Sequence, residues 1–168
     1  MLKRDYQTQV CSVARTLEVV GERWSLLIIR SAYLGVHRFE DLIDAVGVTR
    51  SVLTGRLQRL VEDGVIERTP YQENPTRYEY RLTAKGEDLW PVLVHMMRWG
   101  DTYYCEVAGA PRLLEHTGCG GSPDEHLMCD TCGELLEIGS VTPRRGPGRA
   151  TGALGENDHE DARWLQSA

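Results

Sequence analysis

The chain has 168 residues, of which 41% are hydrophobic and 26% charged, with a formal net charge of -6. That suits one folded domain of ordinary size with an appendage, and the lack of any long apolar run leaves no expected membrane-spanning helix. The opening residues MLKRDYQTQV hold no apolar signal-type stretch, so the expected location is the cytoplasm, where five cysteines favour metal binding or thiol chemistry over structural disulfides.

In chain order, Val10, Val13, Ala14 and Leu17 recur at helical spacing and predict a first helix ending near Gly21. "ERWSLLIIRSAYLG" is apolar on most sides and predicts a buried central helix ending near Gly35. "RFEDLIDAVG" places Phe39, Leu42, Ile43 and Val46 on one stripe, a short third helix closed by Gly47. "VTRSVLTGRLQRLVEDG" follows after almost no linker, with Thr49 as N-cap and Leu53, Leu57, Leu60 and Val61 facing inward. The β-branched segment after Gly64, the Asn74-Pro75 turn and the alternation of Tyr78, Tyr80 and Leu82 predict a two-stranded hairpin. Thr83 caps a further helical region to about Val107, with a kink or a new start at Pro91. Leu89, Val92, Leu93, Met96, Trp99 and Tyr103 give that region a broad apolar face.

Helix, short turn, helix and hairpin is the order of a winged helix-turn-helix, mostly α with a small β-hairpin wing. Residues 1–110 carry 14 basic and 15 acidic residues against 5 and 10 in residues 111–168, so the acidic excess belongs to the C-terminal part. From Thr49 to Leu60 there are three arginines and no acid. An acidic total does not forbid such a local basic surface. A helix of this kind reads base edges in the major groove with its N-terminal residues. Arg50, Ser51 and Thr54 hold those positions, with Gln58 a turn later. Arg56 and Arg59 suit backbone phosphates, and Arg77 near the hairpin tip suits an adjacent minor groove or phosphate. The plainer use of each arginine is to solvate a helix face.

These pieces carry a resemblance. "CSVARTLEVVGERW", "RFEDL", "VLTGRLQRLVEDGVIER" and "RYEYRLTAKG" resemble the HxlR-type branch of bacterial winged-helix regulators, related to the MarR group, over residues 10–104. The resemblance implies a homodimeric transcription regulator that binds double-stranded DNA at an imperfect palindrome. It implies a dimer interface built from the first helix and the long last helix. It also aligns Cys11 with a cysteine that senses electrophiles or oxidants in several such regulators. A thiol near a helix N-terminus gains thiolate character, and the bland alternative for Cys11 is a small buried apolar residue.

Residues 111–142 form a second candidate unit, zinc-ribbon-like in its spacing. His116, Cys119, Cys129 and Cys132 follow the pattern His-x2-Cys-x9-Cys-x2-Cys. Two closely spaced ligand pairs suit one tetrahedral structural zinc per chain. Gly120, Gly121 and Gly133 supply backbone freedom beside the ligands, and a segment with so few apolar side chains needs a metal to fold. His126 and Cys105 are weaker substitute ligands. The competing function is a zinc-dependent or thiol-redox enzyme using this cluster. The Cys129-x-x-Cys132 pair lacks the βαβ setting of a thioredoxin-type site, and no separate base is visible. Trp24, Tyr33, Trp90, Trp99, Tyr103 and Tyr104 serve either as core and interface or as the lining of a small-molecule effector pocket. His37 and His95 have no nameable partners and read as structural. From Pro143 to residue 168 the chain has little to bury and reads as an unstructured tail, with Trp164 and Leu165 as a weak docking point.

Overall fold

The computed structural model describes residues 10–105 and 107–148. Among them the chain divides into two units, one ending at Glu87 and the other starting at Asp88. The expected docking residues Trp164 and Leu165 lie outside the described residues.

The first unit is built on local signals. α1 (Ser12–Val20) begins after Cys11 and ends at Gly21, whose amide bonds the Leu17 carbonyl at 2.8 Å. α2 (Ser25–Tyr33) buries Ser25, Ile28, Ile29, Ser31 and Ala32, in keeping with a sequence apolar on most sides. α3 (Phe39–Val46) is closed by Gly47, whose φ of 71° only glycine adopts without strain. Two residues later Thr49 caps α4 (Arg50–Glu62) by accepting from the Val52 amide. Leu53, Leu57 and Leu60 of α4 are buried with Ile28, Ile29 and Leu42, and this apolar group is the core of the unit.

β1 (Ile66–Glu73) and β2 (Thr76–Leu82) form an antiparallel hairpin in register from Ile66↔Leu82 to Glu73↔Thr76, with an irregularity between Pro70 and Gln72. Its base is anchored on both sides. The Tyr80 amide donates to the His37 carbonyl at 2.8 Å, and Arg38 bridges Glu79. Burial and the facing Arg81 guanidinium hold the His37 pKa below its usual value, consistent with a structural imidazole. Thr83 Oγ1 donates to the Gly64 carbonyl at 2.7 Å and accepts from the Gly86 amide in the single turn α5 (Ala84–Glu87). Tyr33 donates its hydroxyl to the Gly86 and Glu87 carbonyls at 2.7 and 2.6 Å.

The second unit opens with α6 (Trp90–Tyr104). Pro91 stands in its first turn, where a missing N–H costs nothing, so the proline starts a new helix rather than kinking an old one. The helix stops at Tyr104, short of Val107. β3 (Arg112–His116) pairs antiparallel with β4 (Val141–Arg145). Pro143, Arg144 and Arg145, which the sequence assigns to an unstructured tail, are strand residues. Backbone pairing with Leu114, Leu113 and Arg112 orders them without a hydrophobic core, and the Gly146 and Gly148 amides continue the pairing to the Pro111 and Ala110 carbonyls.

Glycine positions give a direct check on this packing. A Cβ on Gly86 would collide with the Val65 carbonyl, whereas one on Gly55, exposed in the middle of α4, would meet nothing. Gly86→Ala is expected to lower the unfolding free energy by about 1–3 kcal/mol. Gly55→Ala is expected to raise it by about 0.5–1 kcal/mol. Urea midpoints of the full chain measure both.

Candidate DNA-reading face and metal-ligand cluster

Burial of Leu53, Leu57 and Leu60 fixes the rotation of α4 about its axis. A helix turns 100° per residue, so Arg50, Ser51, Thr54, Gln58 and Arg59 come out on the exposed side, with Arg56 half-buried at its margin. Arg77 is exposed near the hairpin tip. The first amides of α4 project beyond the helix and favour an anion there.

The three arginines between Thr49 and Leu60 are not a bare positive patch. Arg50 makes a two-pronged bond to the Glu40 carboxylate of α3 at 2.8 and 2.7 Å, and its guanidinium lies 5.4 Å from the Phe39 ring centroid. That bond raises the Arg50 pKa above its ordinary value. Arg56 is 3.7 Å from Glu22, Arg59 is 3.2 Å from Asp63, and Gln58 donates to Glu62 at 3.0 Å. The charge expected from the sequence window is therefore offset by acids on other elements or one turn further along. Exposed pairs of this kind are weak and exchange readily. The wing carries another cation that the sequence pattern did not single out. Arg68 stacks over Tyr78 at 4.0 Å from the centroid, and its alternation in β1 was the available signal.

The second unit brings His116, Cys119, Cys129 and Cys132 together, with all four ligand atoms within 4.8 Å of one another. Two similar turns produce this. In the first, the Gly120 amide bonds the His116 carbonyl at 2.8 Å, and Gly120 has a φ of 77°. In the second, the Gly133 amide bonds the Cys129 carbonyl at 2.9 Å, and Gly133 has a φ of 72°. A bridge between Pro123 and Cys129 ties the intervening loop to the second turn. Gly121 packs so closely on Cys129 and Thr131 that a side chain would not fit.

The donor set fits a tetrahedral divalent ion. Cys119 Sγ lies 3.3 Å from Cys129 Sγ, and His116 Nδ1 lies 3.4 Å from both Cys119 Sγ and Cys132 Sγ. Thiolates around a tetrahedral zinc stand about 3.8 Å apart, given Zn–S bonds of about 2.3 Å. The other ring nitrogen, His116 Nε2, is 3.7 Å from the Glu134 carboxylate, the kind of outer partner that orients a ligating imidazole. His116 and Cys129 are buried, while Cys119 and Cys132 are exposed. Backbone amides of Cys132 and Thr131 aimed at Cys129 bring its thiol down to about 6. At Cys119 the Gly121 amide favours the thiolate, but the neighbouring sulfurs outweigh it and push the thiol up to about 11. Thiols this close cannot all ionise without a cation between them.

The remaining sequence candidates fall elsewhere. Cys11 is the exposed residue at the N-cap of α1. Cys105 ends α6, donates to Asp101 at 3.6 Å, and is raised by burial, so it is neither a ligand nor a ready nucleophile. His126 is exposed and outside the cluster. His95 does have partners, the carbonyls of Pro91 at 2.7 Å and Glu125 at 3.3 Å.

A family model described as HxlR-like helix-turn-helix matches residues 19–108. An HTH-type transcriptional regulator of Mycobacterium tuberculosis, Rv3095, is 48% identical over 137 residues, 82% of this chain and 87% of that protein. That similarity is longer than the family match and so continues beyond the helix-turn-helix region. Among solved structures, the candidate transcription factor PA1607 aligns at a TM-score of 0.65 and 35% identity, over 77% of this chain and 91% of its own. The redox regulator HypR in its reduced form aligns at 0.52 and 31% identity, over 55% and 92%.

The ligand geometry predicts that reduced protein titrated with Zn2+ against a competing chelator saturates at about one ion per chain. Cys129→Ser, which removes a buried ligand, is expected to abolish tight binding. Glu134→Gln is expected to weaken it about tenfold by loosening the imidazole.

Proposed function

This chain belongs to the HxlR-like helix-turn-helix family of transcriptional regulators, and from that premise we propose that it acts as a homodimer seating one α4 in the major groove at each half of a two-fold operator. The observation that carries this reading is the outward row of Arg50, Ser51, Thr54 and Gln58, held opposite the buried leucines of the same helix. Arg50 offers two parallel donors, already arranged on Glu40, and the same fork fits guanine O6 and N7. Gln58 suits adenine. Arg56 and Arg59 exchange their carboxylates for phosphates, which position the helix without specifying sequence. Arg77 reaches the backbone or minor groove beside the site.

The dimer reading rests on two apolar surfaces. On α1, Val13 and Leu17 are exposed, as is Val10 just ahead of it, and on α6 so are Val92, Met96, Trp99 and Tyr103. Such a run on one helix face is far from typical of a monomer's surface. A two-fold dimer places its half-sites about 34–36 Å apart, or a multiple of that. His116, Cys119, Cys129 and Cys132 hold one structural zinc, filling all four positions of a tetrahedral ion. When bound, the ion supplies cross-linking of the two turns. Cys11, exposed at the start of α1, is the candidate sensor of oxidants or electrophiles, and a small-molecule effector is the other signal the family reading allows. No helix among the described residues is long and apolar enough to cross a membrane, and the cytoplasm is the proposed place of action.

The test is selection of duplexes from a random-sequence pool by the wild-type protein, followed by affinity measurements on the selected site. Selected duplexes are expected to contain an inverted repeat. Arg50→Ala is expected to weaken binding roughly tenfold or more and to relax the preference at one base pair. Arg59→Ala is expected to weaken binding to all sequences alike and to lower the salt slope by about one. Unchanged affinity for both variants would overturn the placement of α4.

A further inference from the structure

The loop between the two ligand-bearing turns has a second role within its own unit. Residues 120–128 separate Cys119 from Cys129, so an ion held by both cysteines closes this loop as a cross-link would. The same loop grips α6. Arg98 of α6 donates from Nη1 to the Pro123 carbonyl at 2.6 Å, and its other terminal nitrogen lies 3.8 Å from the Glu125 carboxylate. His95, one turn earlier, meets the Glu125 carbonyl at 3.3 Å. Pro123 in turn bridges Cys129, so a single residue connects a ligand to the helix.

The loop is braced by its own hydrogen bonds. The Asp124 carboxylate accepts from the His126 and Met128 amides, each at 2.8 Å, and the Asp124 amide returns a bond to the Met128 carbonyl at 2.9 Å. Little apolar burial backs this up. Beyond α6, Cys129 and Leu136 are the buried hydrophobic residues among those described. A unit with so small a core depends on its metal for order. The turns of α6 that carry His95 and Arg98 also carry Val92, Met96 and Trp99, with Tyr103 one turn on. These four are 43%, 49%, 57% and 67% exposed.

We propose that metal occupancy of the His116, Cys119, Cys129 and Cys132 site is coupled to self-association of the chain, because the metal-closed loop holds α6 through Arg98 and His95 in the form that pairs with a second copy. The inference rests on α6 being a dimer face. Coupling between two sites is reciprocal, so dimerisation also tightens metal binding. The exposure of Cys119 and Cys132 leaves the ion accessible to chelators, so the coupling can respond to metal supply.

The experiment is sedimentation equilibrium of the full reduced chain, loaded with Zn2+ and after chelation, for the wild type, Cys132→Ser and Arg98→Ala. Loaded wild type is expected to dimerise. Chelation or Cys132→Ser is expected to raise the dimer dissociation constant about tenfold. Arg98→Ala is the decisive variant, since it retains one bound Zn2+ but is expected to weaken the dimer by a similar factor. Circular dichroism and thermal melting check that the variants remain folded, and a second variant, His95→Ala, is expected to act in the same direction as Arg98→Ala. A dimer indifferent to chelation and to both α6 variants overturns the coupling and leaves the dimer reading intact. A chain that stays monomeric when loaded overturns the dimer reading itself.

Discussion

Leu53, Leu57 and Leu60 are at most 2% exposed, and their insertion into the core formed with Ile28, Ile29 and Leu42 sets how α4 is turned. Each buried leucine contributes about 2 kcal/mol relative to an exposed one, and the row cannot rotate outward without losing all three together. Everything proposed for DNA follows from that constraint. The outward residues are polar because the inward ones are not, and the Thr49 cap fixes where the outward row begins. The wing is referred to the same frame, since its base is tied to the end of α4 through Thr83 and to the segment before α3 through His37 and Arg38.

The arginines on that face are paired in a way that bears on how a regulator finds its site. Glu40, Glu22 and Asp63 each hold one guanidinium. Such pairs lower the long-range pull on DNA and so reduce indiscriminate binding to phosphates. An exposed carboxylate is easily replaced as a partner because water screens the pair strongly.

The second unit uses a different source of order. Its strands are short, its buried hydrophobic residues are few, and its loops are held by backbone hydrogen bonds around four ligand atoms. Its crowded thiols have opposed tendencies, one brought down to about 6 and another pushed up to about 11, and a dication among them would offset the charge of their thiolates. The loop that such an ion would close is the one whose Pro123 carbonyl accepts from Arg98 of α6.

Short-range pattern determined a large part of this protein. Helical spacing located α1 to α4, Thr49 and Gly47 marked two of their ends, alternation of Tyr78, Tyr80 and Leu82 marked the wing, and the x2 spacings picked out the four residues that the fold gathers into one cluster. These features depend on residues within a turn or two of each other, so periodicity alone carries them. Tertiary structure decided the rest. Arg50 meets Glu40 because α3 packs beside α4, and Arg56 meets Glu22 because the turn after α1 comes near it, and no local window holds both partners. Order in Pro143, Arg144 and Arg145 comes from pairing with β3, a contact spanning the whole metal-ligand loop. Partners for His95 and Arg98 lie in that loop as well. A side chain's chemistry is written in its own residue type, but the group it meets across a fold is set by packing, which sequence spacing does not encode.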